Sequence, residues 1–238
     1  MHCAQYVRTD VTTLSQVSHL SLSLRLPTMR VVILIGAFAA TVSASTAGPA
    51  PPIWPQAFAV NFTEETFGPT TNVTGAWWYD FTARLHRLDR STGKNDRYCS
   101  SVDPVDAPCT HLVVAGWRYL VWPTLSKCCA CCNSTSGCGI VAPTWMRDSN
   151  GTYSGDAPFT GSPFYSGVAS SWEITGLQPN YWFTEAGTEV PVGFAQVPDD
   201  YQYFNPASYV VGPQPASLFA LPSYCTPSCP GTNICTLL

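Results

Sequence analysis

The stretch Gly75-Ala-Trp-Trp-Tyr-Asp-Phe-Thr-Ala-Arg-Leu-His86 alternates in character residue by residue. Trp77, Tyr79, Phe81, Ala83 and Leu85 fall on one side; Trp78, Asp80, Thr82, Arg84 and His86 fall on the other, with only Trp78 out of place. A period of two is the signature of a half-buried strand. This predicts one strand over 75–86 with Trp77, Tyr79 and Phe81 inward. Asp80 and Arg84 would then point outward on one face, close enough for an exposed ion pair worth at most about 1 kcal/mol. Shorter alternations recur at Trp117, Tyr119 and Val121, at Trp172 and Ile174, at Tyr181 and Phe183, at Val190, Val192 and Phe194, and at Tyr201 and Tyr203. Turn residues separate them, as in Gly176-Leu-Gln-Pro-Asn180 and Pro198-Asp-Asp200. Close-spaced short strands with no long helical period predict an antiparallel β protein, all-β to α+β.

Composition narrows the class. Only 11% of the 238 residues are charged, against roughly 25% in an average soluble domain, while 13% are aromatic. Lys and Arg number 11 against 15 acids, without a basic run, which argues against nucleic acid as a partner. High aromatic content and low net charge exclude a disordered chain. From Met29, one arginine precedes an apolar run ending in Val42-Ser43-Ala44, the plan of a secretory signal peptide over 29–44. Residues 1–28 fit neither a signal nor a domain, so translation is expected to start at Met29. The apolar run is shorter than the ~20 residues that span a bilayer, so no stable membrane insertion is expected. After this leader come a flexible segment over 45–56, with Ile53 and Trp54 tucked against the body, and one β domain over 57–238.

Cleavage after Ala44 removes Cys3 and leaves Cys99, Cys109, Cys128, Cys129, Cys131, Cys132, Cys138, Cys225, Cys229 and Cys235. An even set in a secretory chain predicts disulfides, although spacing alone does not give their connectivity. The cluster Cys128-Cys-Ala-Cys-Cys132 holds two overlapping Cys-x-x-Cys spacings. Zinc is the cytosolic reading of that motif, and structural disulfides are the secretory one, with adjacent cysteines reaching distant partners. Residues 123–168 read as a long cysteine-rich loop, and 213–238 as a tail tied back by cystines. Sequons at Asn61, Asn72, Asn133 and Asn150 predict a glycoprotein destined for the cell exterior or the lysosomal lumen.

Catalytic signatures are scarce: there is no Gly-x-Ser-x-Gly elbow and no His-Glu-x-x-His helix. Beyond the leader, histidines are confined to His86 and His111, and the acid pairs Glu64-Glu65 and Asp199-Asp200 each straddle a strand, facing opposite ways. No loop has the spaced acids of an EF-hand. A non-enzyme is expected.

The run Gly75-Ala-Trp-Trp-Tyr-Asp80 with Arg84 and Arg87 resembles the ependymin-related proteins, in their divergent development-specific secreted branch. Further likeness lies in the Cys-Cys-x-Cys-Cys cluster leading to Cys138-Gly139-Ile140 and Pro143-Thr-Trp145, and in Trp172-Glu-Ile-Thr-Gly176 with Val190-Pro191. The resemblance spans roughly Pro55 to Cys225. It implies a fold like bacterial lipoprotein carriers, with two curved antiparallel sheets, as a half-barrel or sandwich, around a hydrophobic pocket. The residues themselves call for no cofactor; the resemblance also implies lipid as ligand, calcium binding and a homodimer. On that reading Trp77, Tyr79, Phe81, Trp117, Tyr119, Trp172, Phe183 and Phe194 line the pocket, and a fatty acid or other hydrophobic molecule is the partner. The competing expectation is an extracellular adhesion or matrix glycoprotein whose aromatic face is solid core, with calcium-dependent interactions.

Overall fold

The computed structural model describes residues 48–66, 72–176 and 178–230. The expected signal peptide over 29–44, residues 1–28, Cys235 and the side chain of Asn72 lie outside them. The strands are β1 (Ala57–Thr66), β2 (Asn72–Asp80), β3 (Leu85–Arg90), β4 (Cys109–Val114), β5 (Trp117–Trp122), β6 (Lys127–Asn133), β7 (Thr152–Pro158), β8 (Val168–Thr175), β9 (Pro179–Glu185), β10 (Pro191–Gln196), β11 (Asp200–Phe204), β12 (Val210–Val211) and β13 (Cys225–Thr226). Among the described residues two short helices, α1 (Arg97–Val102) and α2 (Trp145–Asp148), and a few 3-10 turns accompany the strands. None of the described helices is long and apolar enough to cross a membrane.

The protein is a β protein, as its alternating pattern predicts. Its strands form one open sheet in the order β13-β6-β5-β4-β3-β2-β1-β11-β10-β9-β8-β7, with β12 beside β1, rather than two sheets. All pairings are antiparallel except β13 with β6. Four strand spacings, roughly 19 Å on a flat sheet, separate β2 from β9. Their Trp77 and Trp182 rings nevertheless lie 6.4 Å apart, so the inner face is dished at its centre.

The stretch that opened the sequence reading is a hairpin, not one strand. β2 stops at Asp80, whose carboxylate accepts a hydrogen bond from the Ala83 amide at 2.9 Å and so holds a four-residue turn. Arg84 closes the turn at φ 60°. Its guanidinium lies over the Phe81 ring at 4.4 Å instead of pairing with Asp80. Reversal of the chain there changes which residues share a face. His86, Leu88 and Arg90 pair across β2 with Tyr79, Trp77 and Gly75, and all three are buried on the inner face. Gly75 is required in this row, because a Cβ would collide with the Phe62 ring and the Asp89 carbonyl.

Cys128–Cys132 lie in β6, not in a loop. Alternation sends Cys128 and Cys129 to opposite faces, where they bond Cys225 and Cys229. The register slips between Arg118 and Tyr119, passing over Cys131 as a bulge, so Cys132 returns to the face of Cys129 and bonds Cys138. Cys99 bonds Cys109. These four cystines, with no membrane-crossing helix among the described residues, are compatible with an extracellular protein.

Candidate functional site

Of the eight residues expected to line a pocket, Trp77, Tyr79, Trp172 and Phe194 do share the inner face and are buried. Phe81 sits in the hairpin turn and packs against the margin of that cluster. The other three point the opposite way. Trp117 is 40% exposed, Tyr119 packs in a small outer cluster with Leu112, Val121 and Phe219, and Phe183 packs outside against Phe159 at 5.1 Å. The reason is one of phase. Alternation fixes which residues share a face, but not which face is core, and Arg118, Trp182 and Gln202 hold the inward positions that their aromatic neighbours were expected to fill.

The inner face is occupied by its own side chains. Trp54, from the segment before β1, sits at its centre with ring centroids 5.3 Å from Trp77, 5.6 Å from Tyr79, 6.0 Å from Phe58, 5.3 Å from Trp145 and 4.8 Å from Trp182. Its amide donates to the Pro143 carbonyl at 3.0 Å, and the Tyr79 hydroxyl donates to Val141 at 2.7 Å, so the loop leading into α2 closes over the face. Burial pushes the Tyr79 phenol well above its ordinary pKa.

Beside this apolar centre lies a buried polar cluster. β1 presents Phe58, Val60, Phe62 and then Glu64 inward, so a carboxylate occupies the fourth position of an apolar row. Arg90 donates to it twice, from Nε at 2.5 Å and Nη2 at 2.8 Å, and the Gln202 amide donates to the same carboxylate at 2.7 Å. Arg90 Nη1 also lies 3.1 Å from Asp96, which accepts from the Tyr98 and Cys99 amides at the start of α1. His111 Nε2 is 2.9 Å from the same Asp96. Burial alone would push Glu64 up, but the charge and hydrogen bonds of Arg90 outweigh it and hold the carboxyl below its usual value. Burial is likewise outweighed at Asp96, by His111 and Arg90, which hold it well below the carboxylate range. Asp200 goes the other way, raised by burial and by neighbouring Glu64. His111 falls to about 4 through burial, only partly opposed by Asp96. Burial first, and the positive Arg118 next, lower His86 well below 6.5. Its Nδ1 accepts from the Trp77 indole N–H at 3.2 Å.

Glu64 and Glu65 thus diverge as their strand positions require, Glu64 buried and Glu65 not, whereas Asp199 lies in the turn before β11 and Asp200 at its first position. The sheet gathers Glu64, Asp96 and Asp200 from three distant segments around Arg90, a convergence that no local motif announces. Asp96, Cys99 and His111 offer ligand atoms within 4.8 Å of one another. However, the Cys99 sulfur is bonded to Cys109 and the Asp96 carboxylate already serves Arg90 and His111, so the donor set is committed within the fold. Among the sequon asparagines, Asn61 and Asn150 are exposed and Asn133 is half-buried. An open groove of about 510 Å³ beside Asn61 is lined by Thr63, Thr74, Ser91, Phe164 and Asn205.

No family model and no curated protein matches this chain. Among solved structures it is similar to an uncharacterized conserved protein from Thermus thermophilus, at 8% identity and a TM-score of 0.45, covering 71% of this chain and 87% of that one. A likeness of that size carries no argument about function.

Proposed function

We propose that the protein is a secreted, non-catalytic glycoprotein of the adhesion or matrix kind, built on a solid aromatic core and making its contacts at its surface. The observation that carries this reading is Trp54, whose five ring contacts take up the volume that a lipid chain would need. The cystines and the exposed sequons at Asn61 and Asn150 support an extracellular setting. The groove beside Asn61 supplies surface for contact. Lipid carriage, which the ependymin-related resemblance implies, requires Trp54 and the loop above it to move aside.

The test is native mass spectrometry of protein from a eukaryotic secretory host, before and after N-glycosidase. Expected are glycan masses, no copurified lipid, and no fluorescence change with a fatty-acid probe. Near-stoichiometric lipid overturns the solid-core reading, and an unglycosylated secreted product overturns the glycoprotein part. Calcium and a homodimer enter through the resemblance alone. Sedimentation velocity in calcium against chelator decides them, with a calcium-dependent shift in mass as the supporting result.

A further inference from the structure

We propose that Arg118 and His86 form a buried site for a small oxyanion bearing a carboxylate or phosphate group. Arg118 is 4% exposed on the inner face of β5, and its Nε and Nη1 have no hydrogen-bond partner. Among the described residues no carboxylate lies within ion-pair reach of it. A buried guanidinium without a counter-charge is costly unless hydrogen bonds replace its lost hydration. The nearby acids are engaged elsewhere: Glu64 serves Arg90 and Gln202, and Asp96 serves Arg90, His111 and two backbone amides.

The register shows where an anion would lie. His86 pairs with Val113, and Val113 with Arg118, so the three form one row across β3, β4 and β5. Two strand spacings, roughly 10 Å on a flat sheet, separate the outer members of the row, and Val113, itself buried, lies between them. An anion above Val113 would face the guanidinium on one side and the imidazole on the other. Because His86 is neutral and its Nδ1 accepts from Trp77, its proton sits on Nε2, which makes the free side of the ring a donor. The Tyr98 ring, carried by α1, closes the site, with its centroid 5.1 Å from the Arg118 guanidinium carbon and 5.3 Å from the His111 ring. Charge-assisted hydrogen bonds of this kind are strong and favour oxyanions over water.

Thermal unfolding of the full secreted protein and of R118M tests this, in chloride at constant ionic strength with inorganic phosphate, acetate or oleate titrated in. The expected result is a saturable rise in Tm with phosphate or acetate but not with chloride, and an apparent affinity at least tenfold weaker in R118M. An unchanged wild-type Tm in every anion overturns the proposal, as does an undiminished response in R118M. Should R118M fail to fold, the wild-type titration decides by itself. A response to oleate with none to acetate or phosphate assigns the carboxylate to a lipid; it keeps the anion site and overturns the solid-core reading, so the two fail separately.

Discussion

The two ends of the inner face are built differently. Around β1, β2 and β8–β11 the core is made of large rings, with Trp54, Trp77, Trp172, Trp182, Phe58 and Phe204 in mutual contact and no cystine among them. Around β4–β6 the core is small, and Cys99, Cys109, Cys129, Cys132, Cys138 and Cys229 make up much of it, beside Tyr98, Leu120 and Trp122. The first region is held by apolar area removed from water. The second is held by restricting the unfolded chain. The charged cluster lies between them, touching the Cys99–Cys109 cystine on one side. A chain with few charges and modest length can thus stabilise a wide open sheet by two means, each confined to its own region.

Removing the cystines should break the comparison most. Cys128–Cys225 and Cys129–Cys229 each close a loop of about a hundred residues, but with one bond in place the other closes only a few residues more. In the chain-entropy model either pair alone is therefore worth about 2 kcal/mol and both together about 7 kcal/mol, the sum being markedly non-additive. Chemical denaturation of the two paired-alanine variants and their combination measures this. Next, W54A should cost roughly 3–5 kcal/mol by the cavity it leaves, seen as a lower denaturation midpoint. A W54A protein that gains fatty-acid probe binding would instead show that the residue is a movable plug. At the border, R90M leaves Glu64 and Asp96 buried without their cation, and should cost about 3–5 kcal/mol in the same assay.

The pH response follows with a smaller effect. His86 and His111 are neutral in the fold, with pKa values lowered below their unfolded 6.5, so the unfolded chain binds more protons as pH falls. Their contribution is complete above pH 6.5 and declines towards pH 4, at up to about 1.4 kcal/mol per pH unit for each histidine. Asp200, raised in the fold, acts with the opposite sign above pH 4 and offsets part of the slope. Denaturation midpoints between pH 7 and 4 should fall, and fall less steeply in H111Q. The smallest effect belongs to W117A, on the outer face at 40% exposure, which should change stability by less than about 0.5 kcal/mol.

Much of the sheet was legible because alternation needs no tertiary information. β5, β8, β9, β10 and β11 all fall where short alternations predict them. In β5, β9 and β11 the phase was not legible, because Arg118, Thr184 and Gln202 face inward while Trp117, Phe183 and Tyr203 face out, against the ordinary ranking of burial, whereas Trp172 in β8 and Phe194 in β10 face inward as expected. The 75–86 stretch misled for a related reason. A hairpin whose turn keeps the alternating pattern looks like an unbroken strand until the Asp80 carboxylate is seen to accept the Ala83 amide. Trp54 was expected against the body, but its place at the centre of the face depends on partners from β2, α2 and β9. The Glu64, Arg90, Asp96 and His111 cluster left no local trace, since its members are up to 47 positions apart.

An open sheet has two unsatisfied borders, each able to accept a strand from another molecule. At one border the tail runs beside β6 as β13, and the cystines from Cys128 and Cys129 grip it from both faces of that strand, so the border cannot be vacated without breaking covalent bonds. At the other border, β7 is kinked by a register shift at Gly155, with φ 119°, ends on Pro158, and begins beside the exposed sequon Asn150. The doubled staple at the tail therefore bears on solubility as much as on folding: it makes the cap permanent and denies Cys128 and Cys129 of the border strand to a strand from another molecule.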